Sequence, residues 1–474
     1  MRPKQHYIVA LDCGSTSFKV AVFDTNLRRL GESSEPLRYA VRMPTRVEFN
    51  PDVAWRTSLR LIRRACAQAG LSPVAVGTVA LTSQANTFCA LDAAGQPLIP
   101  FMSWQDQRAS REAALLNQRL GAGIHDHCSW PRAFAGLQAA MLLWLKLHRP
   151  RAIKKAAALV TLPGYLALRL GAPNAIDVNL AAMSGLYSLQ NRRWWQAMLG
   201  ICGVDARQLP RLVPPGRALE KIRPGRDLML ANRVKVVLAG NDQTAGAFGN
   251  FCSQKHMLVT LGTALVVYRV MGRRRGPYTE DGCWGPYPGG GYYELATRNQ
   301  GCAALDWARG RLAPNRNIQA LTELAKKALV HRQHQDNYES GALFYPDAMH
   351  TKHAWIGSPE LGERALAVFE GIGFSLKQLI EDELHMPLPL HGASRAIPEI
   401  RVVGGGSANV FWMQLLADIL NTRVVRGVGD ALLGAARQAS VRVQARPRDS
   451  GGPIFLPRNA GMCQARYQRW KQQE

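Results

Sequence analysis

"VALDCGSTSFKVAVFDTN", Val9 to Asn26, places an acidic residue and a run of small hydroxylated ones between two apolar stretches. The apolar run Tyr7 to Leu11 predicts a buried strand, "CGSTS" a turn, Phe18 to Phe23 a second strand and "DTNL" another turn. Such a turn can do more than reverse the chain. An anionic polyphosphate requires close backbone approach, N–H and hydroxyl donors, and a carboxylate to hold its magnesium. Asp12 ends the strand and can hold Mg2+ through water, Gly14 admits a phosphate, Ser15 and Thr16 donate, and Lys19 adds positive charge. A hairpin without any ligand, with glycine at positive φ, would use the same residues. The rest of the chain has to decide between them.

Beyond this hairpin the sequence changes period. Asn50 is suited to cap a helix, with Pro51 at the first helical position and Asp52 in the first turn. Trp55, Leu59, Ile62, Cys66 and Ala69 then recur at spacings of four and three, and Gly70 ends the run. "VAVGTVALTSQ" and "TFCALDAAGQPLIP" read as strands, and Arg108 to Leu120 and Gly136 to Leu147 as helices. Strand and helix alternate, so the class is α/β. A second cycle starts at "VKVVLAG" (Val234 to Gly240), and Met257 to Val270 again sets a small hydroxylated turn between two apolar strands. A repeated hairpin is what a duplicated two-lobed fold would show. Its turn, Leu261, Gly262 and Thr263, could supply a second phosphate clamp from the opposite lobe. Farther on, "GGGS" (Gly404 to Ser407) joins a strand to a helix, where backbone can approach a flat purine and its ribose.

The chain has 474 residues, of which 47% are hydrophobic, 43 are Gly and 27 Pro, a composition that suits a folded protein of two or more units. Nine cysteines, none in a C-x-x-C pair, suggest neither a disulfide framework nor a zinc site. They fit a reducing compartment. The five apolar residues before Asp12 are too few for a signal peptide, and no run approaches the roughly 20 needed to span a bilayer. A cytoplasmic protein is expected, with no membrane partner. Lys and Arg number 59 against 34 Asp and Glu, giving +25. The basic residues concentrate briefly at "RPRAIKK" (Arg149 to Lys155), "GRRRG" (Gly272 to Gly276), "RVQARPR" (Arg442 to Arg448) and "RYQRWKQ" (Arg466 to Gln472). None of these interleaves aromatics as a single-strand-binding groove does, so solvated basic faces are expected and nucleic acid is not.

Six stretches, in order, resemble the FGGY carbohydrate kinases of the actin and sugar-kinase ATPase superfamily. "ALDCGSTSFKVAVFD" is similar to that family's first phosphate motif, and "PLIPFMSWQDQR" (Pro97 to Arg108) to its segment ending W-x-D-x-R. "AMLLWLKLHRP" (Ala140 to Pro150) and "GYLALRLGAPNAIDVNLAAMSGLYSL" (Gly164 to Leu189) resemble its next two stretches. "AGNDQTAGAFG" (Ala239 to Gly249) resembles the motif around the catalytic aspartate, and "VVGGGSANVFWMQLLADIL" (Val402 to Leu420) the adenosine motif. The resemblance implies two ribonuclease H-like lobes of the actin/hexokinase type, with ATP and acceptor in the cleft between them. The expected divisions are 1–247, 248–445 and a basic, helical tail over 446–474.

The same resemblance assigns roles to residues. Asp242 would be the general base that takes the proton of a sugar hydroxyl, Asp12 would organise the metal, and Lys19 and Thr263 the phosphates, with Gly262 in the same turn. Gly405, Gly406 and Asn409 would meet the adenosine. Gln84, Asn86, Trp104 and Asp106 would meet the acceptor. Glycerol kinases carry Arg-Glu after this glutamine and xylulokinases Met-His-Gly, whereas Ala85 and Asn86 stand here. Met141 and Gly164 replace a usual lysine and aspartate, and the family's F-x-P-Y-L-x-G-E-R stretch becomes "FYPDAMHTKHAWIGS" (Phe344 to Ser358). The expected activity is ATP- and Mg2+-dependent phosphorylation of a small sugar, sugar acid or polyol, by a chain that pairs as a homodimer. An ATP-binding regulator of the same fold and a nucleic-acid-associated protein are the alternative readings, the first suggested by the altered loops and the second by the charge.

Overall fold

The computed structural model describes residues 7–222, 230, 233–273, 282–334, 341–386, 388, 399–440 and 452–473. The opening hairpin forms where the apolar pattern places it, as β1 (Tyr7–Cys13) and β2 (Ser17–Phe23), antiparallel with Asp12 opposite Lys19. β3 (Arg29–Pro36) continues the meander on β2. On the other side of β1 lie β4 (Val76–Ser83) and β5 (Val234–Asn241), both parallel, and Ala218–Ile222 closes the far edge. The first sheet is therefore ordered edge strand, β5, β4, β1, β2, β3. α1 (Pro51–Gln68) covers one face, its N-terminus capped by the Asn50 side chain accepting from the Asp52 amide at 2.8 Å. α2 (Gln138–His148) begins two residues later than its sequence pattern predicts, and α3 (Asp242–Gly249) follows β5 directly.

The second half repeats this plan. β6 (His256–Leu261) and β7 (Leu265–Met271) form an antiparallel hairpin, β8 (Tyr292–Arg298) extends it on the β7 side, and β9 (Glu399–Val403) and β10 (Val424–Arg426) lie parallel beyond β6. The strand order β8, β7, β6, β9, β10 matches β3, β2, β1, β4, β5 in both sequence and direction. The echo between the two hairpins thus reflects two copies of one topology, each with its glycine-bearing turn at the same place. α4 (Cys302–Leu312), α5 (Ile318–His334), α6 (Leu361–Gln378) and α7 (Val410–Leu420) build the second core.

α8 (Ala431–Ala439) departs from this division. It follows the second sheet in sequence but packs on the first, its Leu432, Ala435, Ala436 and Ala439 against Ile8, Ala10, Ala21 and Val237. β1 is consequently buried on both faces, Val9 and Leu11 toward one core and Ile8 and Ala10 toward α8, which explains its unbroken apolar run. The contact with α3 is made by glycines. A Cβ added at Gly434 would lie 1.7 Å from the Ala245 carbonyl oxygen, so the two helix backbones touch.

The C-terminal segment also corrects the sequence reading. Residues 442–448, with their basic cluster, lie outside the described residues, as do Arg274 and Arg275. "RYQRWKQ" belongs to α9 (Ala460–Gln472) and is not a solvated basic face throughout. Arg466, Tyr467 and Trp470 are buried in the second core. Arg466 bonds Glu370 at 2.7 Å, Arg332 bonds the same carboxylate at 2.8 Å and also pairs with Glu363, so two cations and two anions balance out of water. None of the nine cysteines is disulfide-bonded, and among the described residues no helix is long and apolar enough to cross a membrane.

Gly434→Ala is expected to lower stability by about 1–3 kcal/mol or more, because backbone has no alternative rotamer to yield. A thermal or urea melt that left the transition unmoved would contradict the helix contact.

Candidate active site

β1, β4 and β5 are neighbouring parallel strands, and their C-terminal ends deliver Asp12, Ser83 and Asn241–Asp242 to one edge of the sheet. With one strand between β1 and β5, their backbones are separated by about 10 Å. Asp12 and Lys19 share a face of the hairpin because they are cross-strand partners. Alternation along β1 puts that face toward α8, whose N-cap is Asp430, accepting from the Leu433 amide at 2.9 Å and pairing with Arg29 at 2.6 Å. Burial first, then the neighbouring Asp242 and Asp430, push the Asp12 carboxyl above the usual carboxylate range, against the attraction of Lys19. Burial likewise raises Asp242. The Asp12 Oδ1 atom is buried and unpartnered.

Asp242 is held by a buried network that the sequence did not single out. The Asn241 side chain caps α3, accepting from the Thr244 amide at 2.8 Å. Asn179 accepts from the Asn241 backbone at 2.9 Å and its side chain at 2.8 Å, and donates to Thr244 at 3.0 Å and the Pro286 carbonyl at 2.8 Å. Asp177 accepts from the amides of Asn179, Leu180 and Gly240. All three polar side chains are fully or almost fully buried, so each must be satisfied internally. The stretch holding Asp177 and Asn179 was visible in the sequence; its role depends on contacts to a strand some 60 residues away. Asp242 itself accepts from the Gln243 amide at 2.8 Å through Oδ1 and lines the cleft.

That cleft has a volume of about 600 Å³ and draws its walls from both halves of the chain. Of the expected acceptor residues, Gln84, Asn86 and Trp104 line it together with Ser15 and Asp242. Gln84 is buried with Oε1 unpartnered, and Trp104 is 41% exposed. Asp106 does not belong with them. It is completely buried beneath the loop, both oxygens engaged by Arg108 at 2.6 and 2.8 Å and by the Val47 amide at 2.8 Å, and Arg108 also reaches Glu48 at 2.6 Å. No valence is left for an acceptor, so Asp106 braces the loop that presents Trp104.

On the other lobe the glycine turns meet. Gly262 and Thr263 offer their carbonyls to the amides of Cys302, Gly301 and Ala303, anchoring the β6–β7 turn on the start of α4. Gly404 has φ +90°, and a Cβ there would lie 2.5 Å from the Leu261 carbonyl, so glycine is required for the two turns to touch. Gly405 is open to solvent and free for ligand approach. Gly406 is not: its missing side chain is filled by Trp412 and Leu261 at 2.8 and 2.9 Å, which makes it a packing glycine. Asn409 is likewise occupied, capping α7 at the Trp412 amide (3.2 Å) and donating to Thr322 at 2.9 Å. Gly14 is not at positive φ, so the strained-hairpin alternative does not account for it. The altered stretch Phe344 to Ser358 lies away from the cleft, where Phe344, Trp355 and Trp307 pack together.

Residues 7–249 match the model of the N-terminal domain of the FGGY family of carbohydrate kinases, and residues 257–443 that of its C-terminal domain. The chain is 25% identical over 456 residues to a xylulose kinase of Escherichia coli (strain K12), covering 91% of this chain and 89% of that one. It is 28% identical over 462 residues to a glycerol kinase of Trichlorobacter lovleyi, covering 89% and 86%. Among solved structures, a ligand-bound xylulose kinase from Lactobacillus acidophilus superposes with a TM-score of 0.84 at 19% identity, over 98% of this chain and 97% of that one.

Asp106→Ala is expected to lower stability by about 3–5 kcal/mol, because Arg108 loses a buried partner. The KM of the folded fraction for the acceptor should stay within about twofold. A selective loss of acceptor affinity without loss of stability would return Asp106 to the binding wall.

Proposed function

The chain belongs to the FGGY family of carbohydrate kinases, and from that premise we propose that it transfers the γ-phosphoryl group of ATP to a hydroxyl of a small sugar or polyol held in the cleft, with Asp242 as general base. One observation carries the site assignment: Asp12, Asp242 and Lys19 converge at the edge of the cleft that Gln84, Asn86 and Trp104 also line. Asp242 accepts the acceptor's proton as its oxygen attacks phosphorus in line, while Lys19, Ser15 and the turn amides meet the charge spreading over the phosphoryl oxygens. Burial raises the proton affinity of Asp242 toward the working pH, which suits a base. Gly405 offers open backbone and Thr263 an exposed hydroxyl to the nucleotide from the second lobe, on a turn that the bonded backbone of Gly262 shapes. Closure of the lobes would exclude water from the transfer.

A divalent cation fits beside Asp12. The unpartnered buried Oδ1 and the raised proton affinity both mark a place where positive charge would relieve repulsion. Among the described residues no three His, Cys, Asp or Glu form a cage, which suits Mg2+ held by one carboxylate, water and phosphate. When bound, Mg2+ would neutralise phosphate charge.

Asp242→Asn is expected to reduce kcat by about 10²–10⁴-fold or more, with nucleotide affinity changed only a few-fold, measured by ADP release and equilibrium binding. Wild-type activity in the variant would remove Asp242 from the base role. The base works only when deprotonated and its proton affinity is raised, so kcat/KM should fall with acidification at a pH above the ordinary carboxylate value of about 4. A profile flat down to that pH would contradict the buried base. Nucleotide binding without turnover on any sugar or polyol would instead favour the regulatory reading.

A further inference from the structure

The helix that starts at Asp242 is gripped by both halves of the chain. Asp242 opens α3, and Thr244 lies in the same first turn. From the first half, Asn241 caps that turn and Asn179 holds Asn241. The second half reaches the same few atoms along two routes. The Tyr268 hydroxyl, on β7, hydrogen-bonds the Thr244 hydroxyl at 2.8 Å. The Pro286 carbonyl ends the strand Cys283–Pro286, which pairs with β8 in the second sheet, and it accepts from Asn179 Nδ2 at 2.8 Å. Asn179 Nδ2 also donates to Thr244 at 3.0 Å, so one side chain ties the second sheet to the turn that bears Asp242.

The contact around these bonds is apolar, with Ala247 and Phe248 of α3 meeting Leu258, Val266 and Leu295. Apolar contact is non-directional and fixes no exact register, whereas hydrogen bonds constrain length and angle. Thr244 and Tyr268 are both buried, so water cannot take the place of a lost partner. The Tyr268 ring is fixed on its own account, stacked on Tyr293 with centroids 4.9 Å apart and planes 15° from parallel. A rigid ring therefore carries one hydroxyl to the first turn of α3. The β6–β7 hairpin that bears Tyr268 also bears Gly262 and Thr263 at its turn, so one element of the second half faces both the nucleotide side and the base.

We infer that Tyr268 is a positioning residue for Asp242: through the Thr244 hydroxyl, with Asn179 and the Pro286 carbonyl as a second link, the second half of the chain sets where the carboxylate stands in the cleft. This inference rests on the reading of Asp242 as the base and extends it, since a base supplied by the first half is aimed by the second.

Tyr268→Phe removes the hydroxyl and keeps the stacked ring. ADP release is followed with xylulose, with glycerol and with water alone as acceptor. For the acceptors that are used, kcat should fall about 3- to 10-fold, the weight of one buried hydrogen bond, while acceptor KM and nucleotide affinity by equilibrium binding stay within about twofold. Thr244→Val should show a similar loss, and Thr244→Ser, which keeps a hydroxyl, should recover most of it. Introduced into Asp242→Asn, Tyr268→Phe should have no further effect on the residual rate, because the carboxylate it aims is gone. A residue that served packing alone would lower the melting temperature and leave kcat of the folded fraction unmoved, or would take the same factor from Asp242→Asn as from the unaltered chain. Either result, or a loss confined to KM, would overturn the inference and leave the kinase reading standing. Turnover of none of the three acceptors by the unaltered chain, or undiminished turnover in Asp242→Asn, would instead remove the reading of Asp242 as a working base, and the inference with it.

Discussion

Two carboxylates, Asp12 and Asp242, share a partly buried edge of one sheet, and their repulsion is the constraint around which the centre is organised. Like charges that cannot separate must be protonated or compensated. Lys19 compensates across the hairpin, and the amides at the start of α3 meet Asp242. A third carboxylate, Asp430, faces the same region from the end of α8, but Arg29 and the helix amides hold it. The local balance still leaves the proton affinity of Asp12 raised. A cation and a polyphosphate, arriving together, would complete the balance.

Such an arrangement survives only on a rigid support. Asn241 and Asp242 follow a positive-φ glycine at the end of β5, and Asp177, Asn179 and Thr244 tie that turn to a separate helix, Val178–Met183. Every member of this network is buried and bonded, so removing one would strand the others. The same network uses up the side-chain polar atoms of Asn241, which lines the cleft.

The duplicated topology sets a glycine-bearing turn at the same point of each half, but it does not by itself join the halves. α8 does, crossing from the second half to cover the first sheet through a glycine contact with α3. The helix that begins at Asp242 is therefore backed by an element from the far end of the chain. Any relative movement of the halves has to be accommodated at this contact, beside Asp242. The second core carries its own anchor in Arg466 and Glu370, where the basic C-terminal helix is buried through paired charge.

Sequence by itself determined the strands, the capped helix α1, the repeated hairpin and the order of motifs, because apolar period, Asn-Pro capping and glycine turns are local signals written into consecutive residues. It also pointed to Asp12, Lys19, Gln84, Asn86, Trp104 and Asp242, through their place in motifs. Only the tertiary structure decided what each of these touches. Asp106 stands two residues from Trp104 in the same motif, yet Arg108 and Val47 take its oxygens while Trp104 stays open. Gly406 and Asn409 fit a nucleotide motif as well as Gly405, and packing against Trp412 and Thr322 separates them. The cleft gathers Trp130, Val266 and Leu295, far apart in the chain, into one lining. Which atoms keep free valence is fixed by long-range contacts, and no local pattern records them.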